Sequence, residues 1–390
     1  MREELITLTK KQHDRLEIIR RLMRRELKQK VAAELLGLST RQVRNLARKV
    51  KQDGARGLAH GNRGKPSPKR LARELVERIV ALVKERYRGF KPKFAAEKLW
   101  TRDKIRVSDE KMRQIMIEAG LWRVRRQKRE VHPWREPKAY CGEMVQMDGS
   151  HHAWLENRGP KLVLMGMVDD ARNRFYGRFY EYEGVFPAMD VLRGYIGHYG
   201  LPRSLYVDKH STYKTVRHPS EDEMLRGEEA STQFERAAQE LGIKIIHAHS
   251  PQAKGRIERA FGTLQDRLVK EMRLAGVKDL EEANRFLEGY WKAHNRRHCA
   301  EALEPEDLHR PLPKSMVLDD VLCIKGYRTV NEGYLVKWRG RMYVLGKPSL
   351  TLRQQKLVVL ERFDGRLSLR FKGRDLEYRQ VLEPKRPAPK

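Results

Sequence analysis

The sequence predicts a multidomain protein: N-terminal all-α helix-turn-helix units, a central α/β core and a small C-terminal β-barrel. Three observations predict it. Apolar residues recur at helical spacing from about residue 15 to 122. From residue 143 the pattern changes to short apolar runs alternating with helical stretches, and 315–382 is a string of short alternating runs. Two basic stretches, 56–70 and 123–138, interrupt these regions. The expected boundaries are therefore 1–55 and 71–122 for the helical units, 139–300 for the core and 315–382 for the barrel. A Pro/Lys-rich tail, 383–390, is expected to be disordered.

In the first unit, Ile18, Ile19, Leu22 and Met23 form one stripe, and Val31, Ala32, Leu35 and Leu36 form another that Gly37 closes. Ser39 then caps a third helix, with Gln42 completing a capping box. That helix buries Val43, Leu46, Ala47 and Val50 and turns Arg41, Arg44 and Arg48 to another face, followed by Lys49 and Lys51. A short helix, a Gly-containing turn and a basic helix make a helix-turn-helix whose basic residues suit a DNA major groove. A small helical bundle with a solvated basic face has the same pattern. Arg63 and Lys65 lie in the Gly/Pro-rich linker, which is either an arm for a minor groove or a solvated tether.

Residues 71–122 repeat the helical pattern, with Ser108 capping a last helix, and read as a second helix-turn-helix of winged type. Arg123, Arg125 and Arg126 follow in the second basic connector. The core then opens with an antiparallel meander: 144–148, 162–168 and 174–181, with Asp169-Asp170 in the turn. A helix at 187–199, a strand at 205–207, a helix at 231–241 and a strand at 244–247 follow, with an acid-rich loop at 215–230. Ser250-Pro251 opens a long helix, and another spans 280–296.

The charge is unevenly placed. The chain has 83 Lys and Arg against 52 Asp and Glu, a net +31. Residues 1–138 hold 40 basic and 17 acidic residues, so +23 lies in the first third. Such a footprint points to a polyanion, though a ribosomal type of basic protein shows it too. No apolar run approaches the ~20 residues of a spanning helix, so no membrane partner is expected. Nothing resembles a leader peptide. Cys141, Cys299 and Cys323 are odd in number and far apart, which excludes a disulfide framework and suits a reducing cytoplasm.

Three acidic residues stand where chemistry is possible. Asp148 lies on the first core strand, Asp208 ends the strand 205–207, and Glu258 lies two turns into the long helix. Carboxylates at adjacent strand ends and on a covering helix can converge on two Mg²⁺ or Mn²⁺ ions, which need hard oxygen ligands for phosphoryl transfer. Lys254 shares the side of Glu258, and Arg256 and Arg259 flank it, placed to hold a phosphate backbone. From periodicity alone, an amphipathic helix with ordinary surface ion pairs explains the same residues. His294-x-x-x-His298-Cys299 lacks a second cysteine pair, so zinc is not expected there. No Gly-x-x-x-x-Gly-Lys loop is present, so ATP use is not expected.

The segments Gln146-Met-Asp148-Gly-Ser-His151, Asp208-Lys209-His210-Ser211 and Ser250-Pro-Gln-Ala-Lys-Gly-Arg-Ile-Glu258-Arg259 resemble the DDE transposase and retroviral integrase superfamily. They look most like bacterial insertion-sequence transposases of the ISNCY type. The resemblance implies an RNase H-like core in which Asp148, Asp208 and Glu258 are the catalytic, metal-binding triad. It implies double-stranded DNA as partner (element ends and target), a homodimer or higher oligomer on that DNA, and a bacterial cytoplasmic location. Lys209-His210 replaces the usual Asn-Gly, and 49 residues separate Asp208 from Glu258, a longer gap than in integrases. The loop 215–230 absorbs the excess at small entropic cost. A metal-dependent nuclease on the same core and a catalytically silent DNA-binding regulator are the two alternatives.

Overall fold

The computed structural model describes residues 9–59, 70–123, 136–208, 212–213, 215, 230–248, 254–347 and 349–381. The chain divides into two compact units: Met1–Arg88 with Leu99–Leu121, and Gly89–Lys98 with Trp122–Lys390. Gly89–Lys98 thus groups with the core rather than with the rest of 71–122.

The first unit begins with α1 (Lys10–Met23), α2 (Gln29–Leu36) and α3 (Thr40–Asp53). Gly37 takes the left-handed conformation, φ 59°, that ends α2 and turns the chain towards α3. Ser39 accepts the Gln42 N–H, and Gln42 accepts the Ser39 N–H, forming the expected capping box. Leu16, Ile19, Ala32, Ala33, Val43 and Val50 make the core of these three helices. Ala55 and Leu58, from a 3₁₀ turn over Gly54–Leu58, pack on it, so the folded unit runs past residue 55 into the expected linker. The helices α4 (Arg73–Glu85), α5 (Pro92–Asp103) and α6 (Asp109–Glu118) follow, Ser108 capping α6 as expected. Residues 70–123 contain no strand, so the expected wing is not found there.

In the second unit a five-stranded sheet has the order β3-β2-β1-β4-β5. Its strands are β1 (Val145–His152), β2 (Leu162–Asp169), β3 (Phe175–Tyr180), β4 (Ser204–Val207) and β5 (Lys244–His247). The first three form the expected antiparallel meander, with Asp148 opposite Gly166, while β4 and β5 run parallel to β1. This mixed sheet, covered by α7 (Val185–Tyr199), α8 (Gln233–Glu240), α9 (Gly255–Leu274) and α10 (Leu280–His298), is the RNase H-like core. The start expected for α9 at Ser250-Pro251 lies outside the described residues.

Every residue of β2 is buried, which explains its unbroken apolar run. From α9, Ile257, Phe261, Leu264 and Leu268 enter the main core with Trp154, Phe175 and Phe179. The outer edge of β3 is covered by α10. Asn295 bonds both N–H and C=O of Phe175, Asn284 does the same for Phe179, and the Trp291 indole donates to the Gly177 carbonyl at 2.9 Å. Side chains at 284, 291 and 295 share one helix face and satisfy the main chain of an edge strand that would otherwise invite pairing.

The C-terminal region carries the expected β module, as two sheets. It forms a four-stranded sheet, β11-β10-β9-β6, and a three-stranded one, β12-β8-β7. These strands are β6 (Ile324–Thr329), β7 (Leu335–Trp338), β8 (Arg341–Leu345), β9 (Lys356–Glu361), β10 (Leu367–Phe371), β11 (Arg374–Leu376) and β12 (Tyr378–Val381). No closed barrel forms among the described residues. After β6 the chain turns at Asn331–Tyr334 and pairs in the other sheet, so the two sheets share a core through Val336, Trp338 and Val359 without joining edges. The tail 383–390 lies outside the described residues.

His294 of α10 is buried against Phe175, Tyr290 and Trp291. Burial first, then the charges of His298, Arg267 and Arg297, lower its pKa from the usual 6.5 to about 3. The unfolded chain therefore binds a proton below pH 6.5 that the folded chain refuses. From this residue the second unit should lose up to about 1.4 kcal/mol per pH unit as pH falls from 6.5 towards 4. Thermal or urea unfolding should show His294→Phe to be less acid-sensitive than wild type. Equal pH dependence in the two proteins would contradict the assignment.

Candidate active site

Two carboxylates meet because of strand register. Val145 pairs Leu205 and Gln146 pairs Tyr206, and the same offset carried two residues further sets Asp148 beside Asp208. Burial along β1 changes at that point: Val145, Gln146 and Met147 are buried and Asp148 only partly so. Asp208 follows the last residue of β4, where the strand leaves the sheet.

Between the two carboxylates lies a cation from the N-cap of α9. The Lys254 ammonium is 3.0 Å from Asp148 Oδ1 and 3.6 Å from Asp208 Oδ2. Lys254 itself is only 6% exposed. Burial pushes the Asp148 carboxyl above its usual range; Lys254 pulls it down, and Asp208 and Glu183 push it up again.

Sequence reasoning missed two neighbours. A Cβ at position 149 would collide with the Glu183 carboxylate, so Gly149 is what allows that carboxylate to lie beside Asp148. Glu183 Oε2 is also 3.0 Å from His151 Nε2. The Tyr213 hydroxyl is fully buried with no hydrogen-bond partner among the described residues and feels the charges of Glu183, Asp148 and Asp208. The signal for Glu183 was Gly149 immediately after Asp148; Tyr213 stands in an irregular segment that gave none.

The start of α9 is fastened to β1 by buried groups. Gln146 Oε1 accepts the Ile257 N–H at 3.2 Å, and Gln146 Nε2 donates to Asp170 Oδ1 at 2.9 Å. Arg256 Nε is 3.1 Å from the same oxygen, and Arg256 also donates to Asn173 Oδ1. Asp170 takes the Lys138 N–H as well, while Asp169 accepts the N–H groups of Gly142 and Arg172. Both aspartates of the β2–β3 turn are wholly buried. Their position therefore does more than turn the chain. His247 steadies Asp208, its Nδ1 3.4 Å from the Asp208 carbonyl and its Nε2 3.2 Å from Glu235.

Glu258 stands exposed on α9, one helical turn after Lys254. Its carboxylate does not join the two aspartates in one compact cluster. Among the described residues, the group of ligating atoms all within 4.8 Å is Cys141, Asp307 and His309. Burial first, then the Asp169 carboxylate, push the Cys141 thiol up to about 12, while Arg174, which donates to its sulfur at 3.2 Å, pulls it the other way. Asp148 and Asp208, by contrast, aim carboxylate oxygens at one cationic group. Such hard oxygen donors fit a hard divalent ion.

The basic residues separate. Arg41, Arg44, Arg48, Lys49 and Lys51 are exposed on or beside α3, and Arg123 is exposed. Arg63, Lys65, Arg125 and Arg126 lie outside the described residues. Arg259 is exposed, its Nε donating to the Gly255 carbonyl. Arg256, expected beside DNA, is instead drawn into the internal pair with Asp170 because that buried carboxylate needs a counter-charge.

Among the described residues, no helix is long and apolar enough to cross a membrane. A family model described as a helix-turn-helix domain matches residues 14–67, over α1–α3. The transposase y4bF of Sinorhizobium fredii (strain NBRC 101917 / NGR234) is 37% identical over 379 residues, covering 96% of this chain and 82% of that protein. The transposase for insertion sequence IS1202 of Streptococcus pneumoniae is 27% identical over 406 residues, covering 94% and 85%. Among solved structures, the dimeric HTLV-2 integrase catalytic core domain in complex with magnesium aligns with a TM-score of 0.29 and 16% identity. The match covers 38% of this chain and 84% of that one. A simian T-cell lymphotropic virus intasome in complex with PP2A regulatory subunit B56 gamma aligns with a TM-score of 0.34 and 16% identity, over 71% and 93%. With the curated likeness running through the helix-turn-helix, the sheet and the C-terminal strands alike, this chain belongs to the transposases.

Proposed function

We propose that this transposase binds the terminal inverted repeats of a mobile element through α3, cuts the DNA at the element end and joins the freed strand to target DNA. The observation that supports this most is the convergence of Asp148 and Asp208, from two adjacent inner strands of an α/β sheet, on a single cationic group. In this reading Asp148, Asp208 and Glu258 are the catalytic carboxylates and hold two Mg²⁺ or Mn²⁺ ions. When bound, such ions supply Lewis acidity at the phosphodiester and at the attacking and leaving oxygens.

The chain's own residues do the rest. Gln146 and Asp170 fix where α9 begins and so where Glu258 can reach. Arg259, exposed beside Glu258, is placed to hold the scissile strand's phosphates. In cleavage, a water oxygen bonds to phosphorus as the 3′ oxygen leaves and takes up a proton. In joining, that 3′-OH bonds to a target phosphorus as the target's own 3′ oxygen leaves. Neither step requires a Ser or Tyr nucleophile on the protein. Cutting two ends together calls for a homodimer or higher oligomer on DNA. The reading places the protein in the bacterial cytoplasm, on the nucleoid.

With a DNA fragment ending in the element's repeat and Mg²⁺ or Mn²⁺, wild type should nick at the repeat end. Asp148→Asn, Asp208→Asn and Glu258→Gln should each lower the nicking rate on the order of a hundredfold or more. Gel-shift affinity for the repeat should stay within a few-fold. A variant that cuts as fast as wild type removes its residue from the site.

Arg44 and Arg48, exposed on α3, should contribute phosphate or base contacts. Replacing either by Ala should weaken repeat binding and, for a phosphate contact, reduce the slope of log affinity against log salt by about one. An unchanged affinity and slope for both would remove α3 as the reading helix.

A further inference from the structure

The buried lysine at the paired aspartates has a consequence for how metal enters. Lys254 is among the few charged residues buried among the described residues, and it is the N-cap of α9, directly before Gly255. Burying an ammonium costs free energy unless an opposite charge compensates it. Asp148 and Asp208 provide that compensation, at 3.0 and 3.6 Å. The oxygens that face the ammonium are the ones proposed to hold a divalent ion. An ammonium and a divalent cation compete for them, because like charges a few ångströms apart in a partly desolvated site repel.

We propose that Lys254 is a built-in counter-cation: it neutralises Asp148 and Asp208 while the site is metal-free and is expelled to solvent when a divalent ion enters. This rests on the reading of Asp148 and Asp208 as metal ligands. The lysine keeps two neighbouring carboxylates from repelling each other before metal arrives, which stabilises the metal-free fold. The same contact sets metal affinity lower than the carboxylates alone would give.

The test is Mn²⁺ binding by the full-length protein, measured by calorimetry at fixed pH and salt without DNA. Lys254→Gln should bind Mn²⁺ roughly tenfold more tightly than wild type, the scale set by the coupling of close charge pairs. Its metal-free melting temperature should fall. Lys254→Arg, which keeps the charge, should bind like wild type. In wild type, reductive methylation read by mass spectrometry should label Lys254 slowly without metal and faster with Mn²⁺, a readout that needs no variant. If Lys254→Gln binds Mn²⁺ no more tightly than wild type, or if Mn²⁺ leaves Lys254 labelling unchanged, the inference is overturned. Asp148→Asn separates the two claims. If Asp148→Asn keeps wild-type affinity, the site reading itself fails; if it loses affinity while Lys254→Gln gains none, the counter-cation alone fails.

Discussion

The arrangement depends on one buried carboxylate. Asp170 is wholly shielded from solvent, yet it accepts from Gln146, from the Lys138 main chain and from the Arg256 guanidinium. Gln146 lies on β1 two residues before Asp148, and Arg256 lies on α9 two residues before Glu258. One anion therefore ties together the strand and the helix that carry two of the three proposed catalytic groups. A buried charge of this kind adds little net stability compared with apolar packing, because desolvation offsets much of its attraction. Its value lies in direction: a leucine at 170 could fill the space but could not hold Gln146 and Arg256 in register. The β2–β3 turn thus acts as a clamp on the site from the end of the sheet opposite β5.

Much of this was legible in the residues. The change from 3.6-residue to two-residue periodicity separates the N-terminal helices from the sheet, because each element must bury one face. The Ser39–Gln42 box and Gly37 mark α2 and α3 locally, and local signals survive folding. The unbroken apolar run of β2 marks a strand covered on both faces. What failed to read depended on distant partners. The wing expected within 71–122 was a pairing prediction, and pairing is decided by strands far apart in sequence. The strands beyond residue 323 alternate as barrel strands do, yet they sort into two sheets that share a core.

The site shows the same division. Asp208 could be chosen because it ends an apolar run, where a solvated acid is out of place, and Asp148 because it lies on the first core strand. The charge partners could not be read. Arg256 looks from spacing like Lys254 and Arg259, three basic residues around one glutamate, but each meets a different environment. Lys254 lies between the aspartates, Arg256 pairs with Asp170, and Arg259 faces solvent. A helical wheel assigns faces but cannot say which face meets an acid. Glu183 was hidden for a similar reason: it follows β3 with no pattern of its own, and only the lack of a side chain at Gly149 makes room for it.

The central claim is that divalent metal binds at Asp148, Asp208 and Glu258, and the most direct test locates the metal in solution. Fe²⁺ replaces Mg²⁺ in such sites and, with ascorbate and peroxide, cuts the polypeptide beside its ligands. The full-length protein treated in this way should yield fragments ending near residues 148, 208 and 258, and excess Mg²⁺ should suppress them. Cuts confined to the neighbourhood of Cys141 and Asp307–His309, or none above the metal-free background, would contradict the account.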